Sequence, residues 1–476
     1  MRHERSHTKI IATIGPVTRN RKILEKMFHE GVDVCRINCS HDTHAEHLKT
    51  ITYINELNKE LGSNVAILAD LQGPKLRVGM MENDKVMLED GQEFSFVTTA
   101  CTGTTEKAYM SYQRMPADVN PGESILVDDG KLIFEVIETN GTDTVRCKVI
   151  AGGPLGSKKG VNLPHTKVSL PSLTEKDIND AKFALDNQVD WIALSFVRME
   201  KDILDLRELV DAHPNKARII AKIEKPEALD EIDEIIAAAD GIMVARGDLG
   251  VEVDFHKVPL IQKKIIKKCT SNSKPVIVAT QMMESMITNQ TPTRAEANDV
   301  ANAVLDGADT VMLSGETSVG KYPVQTITNM QKIIDSTETE EYLYYKEHVP
   351  MIQNDVFLPE SICYNAVRLA EQVNAAAIVT LTYSGFTAIK ISSHRPKAPI
   401  FSFTMNEDLI RDLSLVWGVR TFYFGECEHI NEYITYTEDF LLSQNLLKKG
   451  DLVVHVGSIP IMEKGKTNMM KLTRVI

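Results

Sequence analysis

Ile219-Ile220-Ala221-Lys222-Ile223-Glu224 and Gly241-Ile242-Met243-Val244-Ala245-Arg246-Gly247-Asp248 are short apolar runs, rich in β-branched residues, that end abruptly in charged groups. A buried parallel strand that delivers side chains to a site at its C-terminal end has this form. Lys222 and Glu224 are two apart, so an extended chain projects them to the same side. Asp248 arrives at the end of the next strand, and neighbouring strands lie ~4.8 Å apart. Two carboxylates that close repel unless a cation sits between them. Two such ligands, with substrate oxygens completing the shell, suit Mg²⁺. A salt-bridge network at a barrel rim is the plainer alternative.

Outward from these runs, strands and helices alternate. Further strands are expected at 9–14, 32–37, 65–70, 191–196, 275–279 and 310–313, beside 218–223 and 242–245. Amphipathic stretches at 43–61, 176–187, 201–211, 258–271 and 294–306 lie between them. Eight buried strands joined by helices predict a (β/α)₈ TIM barrel over 1–72 and 171–344. Residues 73–170 lose the helical pattern and carry turn pairs (Asp90-Gly91, Pro121-Gly122, Asp129-Gly130, Asn140-Gly141), which predicts an all-β insertion at the barrel's catalytic rim, placed to act as a lid. Alternation resumes over 345–476: a helix near 361–373 and strands at 377–382, 399–404, 452–456 and 470–475 predict a separate C-terminal α/β domain.

Bulk properties restrict the class. A chain of 476 residues is long for one domain. The formal net charge of −13 argues against a nucleic-acid or anionic-membrane surface, so any phosphate site must be a local concentration of cations. Seven scattered cysteines without a CxxC pair suit a reducing compartment. With no signal-like segment and no run near the ~18 residues of a membrane span, a cytoplasmic protein is expected.

Other strand ends carry the same kind of chemistry. The second ends in Arg36-Ile37-Asn38-Cys39-Ser40-His41, with Arg36, Asn38 and Ser40 alternating to one side; a rim arginine is a natural phosphate ligand. The third supplies Asp70-Leu71-Gln72-Gly73-Pro74-Lys75-Leu76-Arg77, the seventh Thr280, and the eighth Ser314-Gly315-Glu316-Thr317. Polar groups at six of eight strand ends point to catalysis, since barrels draw catalytic residues from these ends. Gly315–Tyr322 imitates a phosphate-binding P-loop, but Tyr322 stands where that loop needs a hydroxyl for Mg²⁺. His41, His44 and His47, at i, i+3 and i+6, have no further Cys or His nearby and read as the exposed start of a helix. Cys35 and Cys39 read as buried, inert thiols. Thr380-Leu381-Thr382-Tyr383-Ser384-Gly385-Phe386-Thr387, between a strand and a helix, offers hydroxyls and a helix N-terminus to a phosphate; an ordinary capped turn is the alternative.

Thr8–Pro16, Arg36–His41, Lys222–Glu224, Met243–Gly250, Ala279–Met286, Thr293–Glu296 and Met312–Thr317, in this order along essentially the whole chain, resemble the pyruvate kinase family. The resemblance implies transfer of the phosphoryl group of phosphoenolpyruvate to ADP, giving pyruvate and ATP. It implies Glu224 and Asp248 as ligands of Mg²⁺, with Mn²⁺ able to replace it. Lys222 and Arg36 would then act on the phosphoryl group. The backbone N–H groups of Gly247 and Asp248, with the Thr280 hydroxyl, would bind the substrate carboxylate. Thr280 would also lie near the group that protonates the enolate. Arg77 and Lys159 would grip the nucleotide, with His41 beside them.

Many members of the family hold K⁺ with groups matching Asn38, Ser40, Asp70 and the backbone carbonyl after that aspartate. Members that need K⁺ typically carry Thr at the position of Leu71 and Glu at that of Lys75. Leu71 and Lys75 resemble the K⁺-independent group, so K⁺ is expected not to be required, Lys75 supplying a tethered cation instead. The resemblance also implies a phosphorylated effector at Thr382, Ser384, Gly385 and Thr387, opposite the loop 457–468, and a homotetramer. Two rivals stay open: another Mg²⁺ barrel enzyme such as an aldolase-type lyase, and a catalytically silent sensor.

Overall fold

A computed structural model describes residues 6–164, 166–346, 349–350, 356–425, 429–460 and 467–476. Eight parallel strands close into a barrel: β1 (Lys9–Ile14), β2 (Val34–Asn38), β3 (Ala66–Asp70), β4 (Trp191–Leu194), β5 (Arg218–Ile223), β6 (Gly241–Ala245), β7 (Val276–Ala279) and β8 (Thr310–Leu313). Each pairs with its neighbours in chain order, β8 closing on β1. The strands are buried on both faces, which is why they read as continuous apolar runs rather than alternating ones. Their helices begin at sequence-encoded caps. Thr43, Thr174 and Thr293 each accept a hydrogen bond from the N3 backbone while the N3 carboxylate (Glu46, Asp177, Glu296) reaches back, which satisfies otherwise orphaned donors.

β3 and β4 are paired, so the chain between them leaves the rim and returns to the same place. That excursion holds a six-stranded sheet, running from Val161–Asn162 at one edge to Lys107–Tyr109 at the other, and a two-stranded one. Phe94, Phe96 and Phe134 pack edge-on or tilted at its centre, 5.1–5.3 Å between rings. The expected all-β character holds except for two short helical turns, Glu82–Asp84 and Met115–Asp118. Both connections are pinned. Gly73 turns at φ +68°, where a Cβ would stand 2.7 Å from Phe196, and its N–H donates to buried Asp177 (3.0 Å). On the return, Arg198 donates to the carbonyls of Val168 and Leu170 (2.7 Å for the latter).

The C-terminal sheet orders β11-β10-β9-β12-β13: β9 (Ala377–Leu381), β10 (Ile400–Thr404), β11 (Val419–Tyr423), β12 (Leu452–Gly457) and antiparallel β13 (Met469–Arg474). β11 is absent from the sequence expectations. It is an edge strand with alternating burial, so it lacks the apolar run that marks the others. This unit stops the bottom of the barrel. Leu415 joins the inner cluster of Ile11, Val34, Leu68 and Trp191, and its carbonyl accepts from Thr310 Oγ1 (2.9 Å). Buried Arg395 donates to Asp309 Oδ2 (3.0 Å) and Gly307 O (2.7 Å) while lying over the Trp417 ring.

Removing one partner of a buried ion pair leaves an uncompensated charge and costs about 3–5 kcal/mol. We therefore expect Asp309→Ala to lower the thermal midpoint by several degrees, followed by circular dichroism. An unchanged midpoint would show that the Arg395 contact contributes nothing to the junction.

Candidate active site

The carboxylate of Asp70, at the end of β3 and 1% exposed, is the centre of the rim. Arg36 on β2 donates Nε to Asp70 Oδ2 (2.7 Å), with Nη2 2.6 Å from the same oxygen and Nη1 bonded to Thr13 Oγ1 (2.9 Å). Lys222 Nζ lies 3.1 Å from Asp70 Oδ1 and 2.9 Å from Glu224 Oε1, and donates to Ser195 Oγ (2.6 Å). Burial alone would raise the Asp70 carboxyl, but Lys222 and Arg36 outweigh it and hold it below the usual range. Burial alone would likewise lower Lys222, yet Asp70 and Glu224 keep its ammonium charged and its pKa raised. Two cations are thus fixed side by side in a buried place.

Glu224 is 1% exposed and accepts from the Phe196 N–H (2.7 Å) at a residue with φ +56°. Asp248 stands exposed in the short helix Arg246–Glu252 that follows β6. Burial pushes the Glu224 carboxyl up to about 7, with Lys222 opposing and Asp248 adding to the rise. Two carboxylates competing for charge at paired strand ends are what a divalent cation would relieve, and their all-oxygen donor set fits Mg²⁺. Among the described residues no group of three or more Asp, Glu, His or Cys forms a metal cluster, so the remaining ligands of such an ion would have to come from substrate and water.

At the end of β7 the backbone enters the left-handed region at Thr280 (φ +71°) and Gln281 (φ +54°). For a β-branched residue this conformation costs about 1–3 kcal/mol and persists only where surroundings impose it. Arg246 is the imposing group. Its Nη2 donates to Thr280 O (2.7 Å) and its Nε to Ala279 O (3.3 Å), while Nη1 pairs with Asp299 (2.7 Å). Thr280 Oγ1 is thereby turned to the Gly247 N–H, 2.7 Å away. Glu316, in the segment that imitates a P-loop, is buried and accepts from Met283 N (3.1 Å) and Ser314 N (2.7 Å), a bracing role between loops.

The remaining candidates are spread around this centre. Arg77 Nη1 donates to Lys158 O (2.9 Å), and Lys159 Nζ pairs with Asp128 (2.9 Å). Partial desolvation and Lys75 lower the His41 imidazole, Asp42 opposes, and Arg77 and Arg36 lower it further, so these cations surround His41. His44 stacks on Phe183 and bonds Asp180 (2.7 Å), whereas His47 is buried rather than exposed, because it turns inward on the stripe of Thr50, Ile51 and Ile54. Cys35 and Cys39 are buried, with thiol pKa values raised by desolvation. Asn38 Oδ1 accepts from Ser40 N (3.1 Å), and Leu71 O accepts from Ser195 Oγ (2.7 Å). Lys75 is exposed in a narrow cleft between barrel and insertion. Far below, Thr382 Oγ1 accepts from Gly385 N (3.0 Å), Thr387 meets Thr467 (2.7 Å), and Ser384 O accepts from Arg218 (3.0 Å). Of the opposing loop 457–468, residues 461–466 lie outside the described residues.

Thr13, Ser195 and Arg246 escaped the sequence reading. Ser195 and Thr13 were visible as polar residues at the ends of β4 and β1, the two strand ends left unassigned. Arg246 stood inside a quoted run, and only the positive φ of Thr280 reveals its task.

Residues 5–327 match the family model described as pyruvate kinase, barrel domain, and residues 360–473 that described as pyruvate kinase, alpha/beta domain. The pyruvate kinase of Geobacillus stearothermophilus is 44% identical over 98% of this chain and 80% of its own length. That of Corynebacterium glutamicum is 42% identical over 97% and 96%. A crystal structure of a pyruvate kinase from Cryptosporidium parvum superposes with a TM-score of 0.93 at 38% identity, covering 98% of this chain and 96% of that one. Matched in sequence over nearly its full length and in the arrangement of its sheets, the chain belongs to the pyruvate kinase family.

Proposed function

We propose that the cations and carboxylates gathered around Asp70 perform the reaction of this family, transfer of the phosphoryl group of phosphoenolpyruvate to ADP to give pyruvate and ATP. The observation that carries the assignment is the buried Lys222 ammonium, held by Asp70, Glu224 and Ser195 next to the Arg36 guanidinium. Phosphoryl transfer needs little covalent help; placed positive charge supplies most of the catalysis. Arg36 grips the phosphoryl oxygens, and Lys222 meets the charge that develops on the group in flight. Gly247 and Asp248 N–H groups, with the Thr280 hydroxyl, hold the substrate carboxylate. Thr280 then orients the proton delivered to the enolate carbon. Glu224 and Asp248 would hold Mg²⁺, or Mn²⁺ in its place; when bound, the ion supplies further positive charge to substrate oxygens. Arg77, Lys159 and His41 bind the nucleotide as the insertion 73–170 closes over the barrel of 1–72 and 171–344 and excludes water.

Lys75 takes the place of a bound K⁺ in this reading. Its support is that groups equivalent to a K⁺ site already have partners: Asp70 is taken by Arg36 and Lys222, and Leu71 O by Ser195. The unit 345–476 is regulatory and binds a phosphorylated effector at Thr382, Ser384, Gly385 and Thr387. The enzyme works in the cytoplasm as a homotetramer, regulated through subunit rotation. Among the described residues no helix is long and apolar enough to cross a membrane.

Three outcomes test this reading. Lys222→Met should reduce turnover by roughly 10³-fold or more while Mn²⁺ still binds, read by electron paramagnetic resonance; normal turnover would overturn the assignment. In K⁺-free Tris buffer the unaltered enzyme should be fully active, and Lys75→Glu should lower that activity and partly restore a response to K⁺. Strong K⁺ activation of the unaltered enzyme would defeat the Lys75 substitution idea. A thermal-shift panel of a sugar bisphosphate, a sugar monophosphate and AMP should yield one ligand that raises the midpoint, as mass action requires; no shift with any of them removes the effector assignment.

A further inference from the structure

Glu252 ends the short helix that carries Asp248, one turn further on. It is 4% exposed, and a single oxygen, Oε1, accepts from both Lys225 Nζ (2.7 Å) and Asn162 Nδ2 (2.8 Å). Its other oxygen is buried and has no hydrogen-bond donor among the described residues. Each partner belongs to a different part of the molecule. Lys225 directly follows Glu224 at the end of β5. Asn162 lies on the edge strand of the insertion, three residues after Lys159, and that strand is registered on Ser124–Val127. The three side chains line a closed-in cleft of about 70 Å³ together with Lys75, Asp129 and Asp248.

Buried ion pairs contribute little net stability, because desolvation offsets most of their attraction. A carboxylate with one oxygen left without a donor is a poor choice for stability alone. What the contact does enforce is geometry: the insertion can donate to Glu252 only where Asn162 reaches that oxygen, and Lys225 reaches it only with the end of β5 in its present place.

We propose that Glu252 is a positioning residue that couples the seating of the insertion on the barrel to the placement of Glu224 and Asp248. The proposal rests on the assignment of those two carboxylates to the metal and of Lys159 to the nucleotide. Seating the nucleotide-gripping strand then sets the metal-ligand helix, and by reciprocity the arranged metal site favours the seated insertion.

Asn162→Ala and Glu252→Ala should each raise KM for ADP by roughly ten- to hundredfold, the loss expected for a hydrogen bond to a charged acceptor. Reciprocity also requires ADP to tighten Mn²⁺ binding in the unaltered enzyme and to lose most of that effect in Asn162→Ala, a change in coupling that general destabilisation would not produce. The double variant should be no worse than the worse single one, since Glu252→Ala already removes the acceptor of the Asn162 hydrogen bond. Thermal melting of the Asn162→Ala protein, which leaves the Lys225–Glu252 pair intact, confirms folding. Effects that multiply in the double variant, an effect of ADP on Mn²⁺ affinity that survives in Asn162→Ala, or an unchanged KM for ADP in that variant would each overturn the coupling. Glu224→Gln serves as the separate control: if it retains full Mn²⁺ affinity, the proposal falls through the metal assignment beneath it.

Discussion

The constraint on which the rest of the site depends is the neutralisation of Asp70. A carboxylate at 1% exposure cannot stay ionised without partners, and it has two cations, one on each oxygen. The dependence runs both ways. Arg36 and Lys222 would repel each other at adjoining places on the rim if nothing lay between them. Asp70 lets the fold store two positive charges at the rim, in surroundings that strengthen the field they would offer an anion. This is how a chain with net charge −13 can present a phosphate site. The site is a small cationic island, with acidic residues holding it together from behind.

The same logic orders the elements around it. Lys222 has its third partner in Ser195, whose hydroxyl donates to the Leu71 carbonyl and so ties the end of β4 to the residue after Asp70. Phe196, the next residue, gives its N–H to Glu224, and Gly73 packs against Ser195 and Phe196 so closely that only glycine fits. Both chain connections between barrel and insertion are therefore braced against the residues that hold Lys222 and Glu224. Gly73 and Arg198 hold these connections while the sheet beyond them has its own aromatic core.

Much of this was legible in the sequence because a parallel barrel writes its plan plainly. Strands buried on both faces give apolar runs, and functional residues follow at their ends, so Lys222, Glu224, Asp248, Arg36 and Asp70 stand where the pattern changes from apolar to charged. What escaped were roles rather than residues. Thr13 and Ser195 are small hydroxyls that look like ordinary strand ends until Arg36 and Lys222 are seen to bond them. His47 looked exposed because sequence spacing alone does not say which way the first helical turn faces. β11 went unread because an edge strand alternates. The task of Arg246 depends on a backbone torsion more than thirty residues away in sequence, at Thr280, which no local pattern encodes.

One strand also joins the two ends of the molecule. β5 begins at Arg218, which donates to Ser384 O in the C-terminal loop and pairs with Asp412 (2.8 Å), and its other end carries Lys222, with Glu224 just beyond it. A buried strand bonded to neighbours on both sides is stiff along its length, so a displacement imposed on Arg218 has few ways to dissipate before the rim. Spatial continuity is not by itself coupling; a second arrangement of the same contacts is required for that. The physical requirement is nonetheless specific. Any movement of the Phe386–Ser393 helix that changes the Ser384 contact must either break the Arg218 hydrogen bond or shift the start of the strand that carries Lys222.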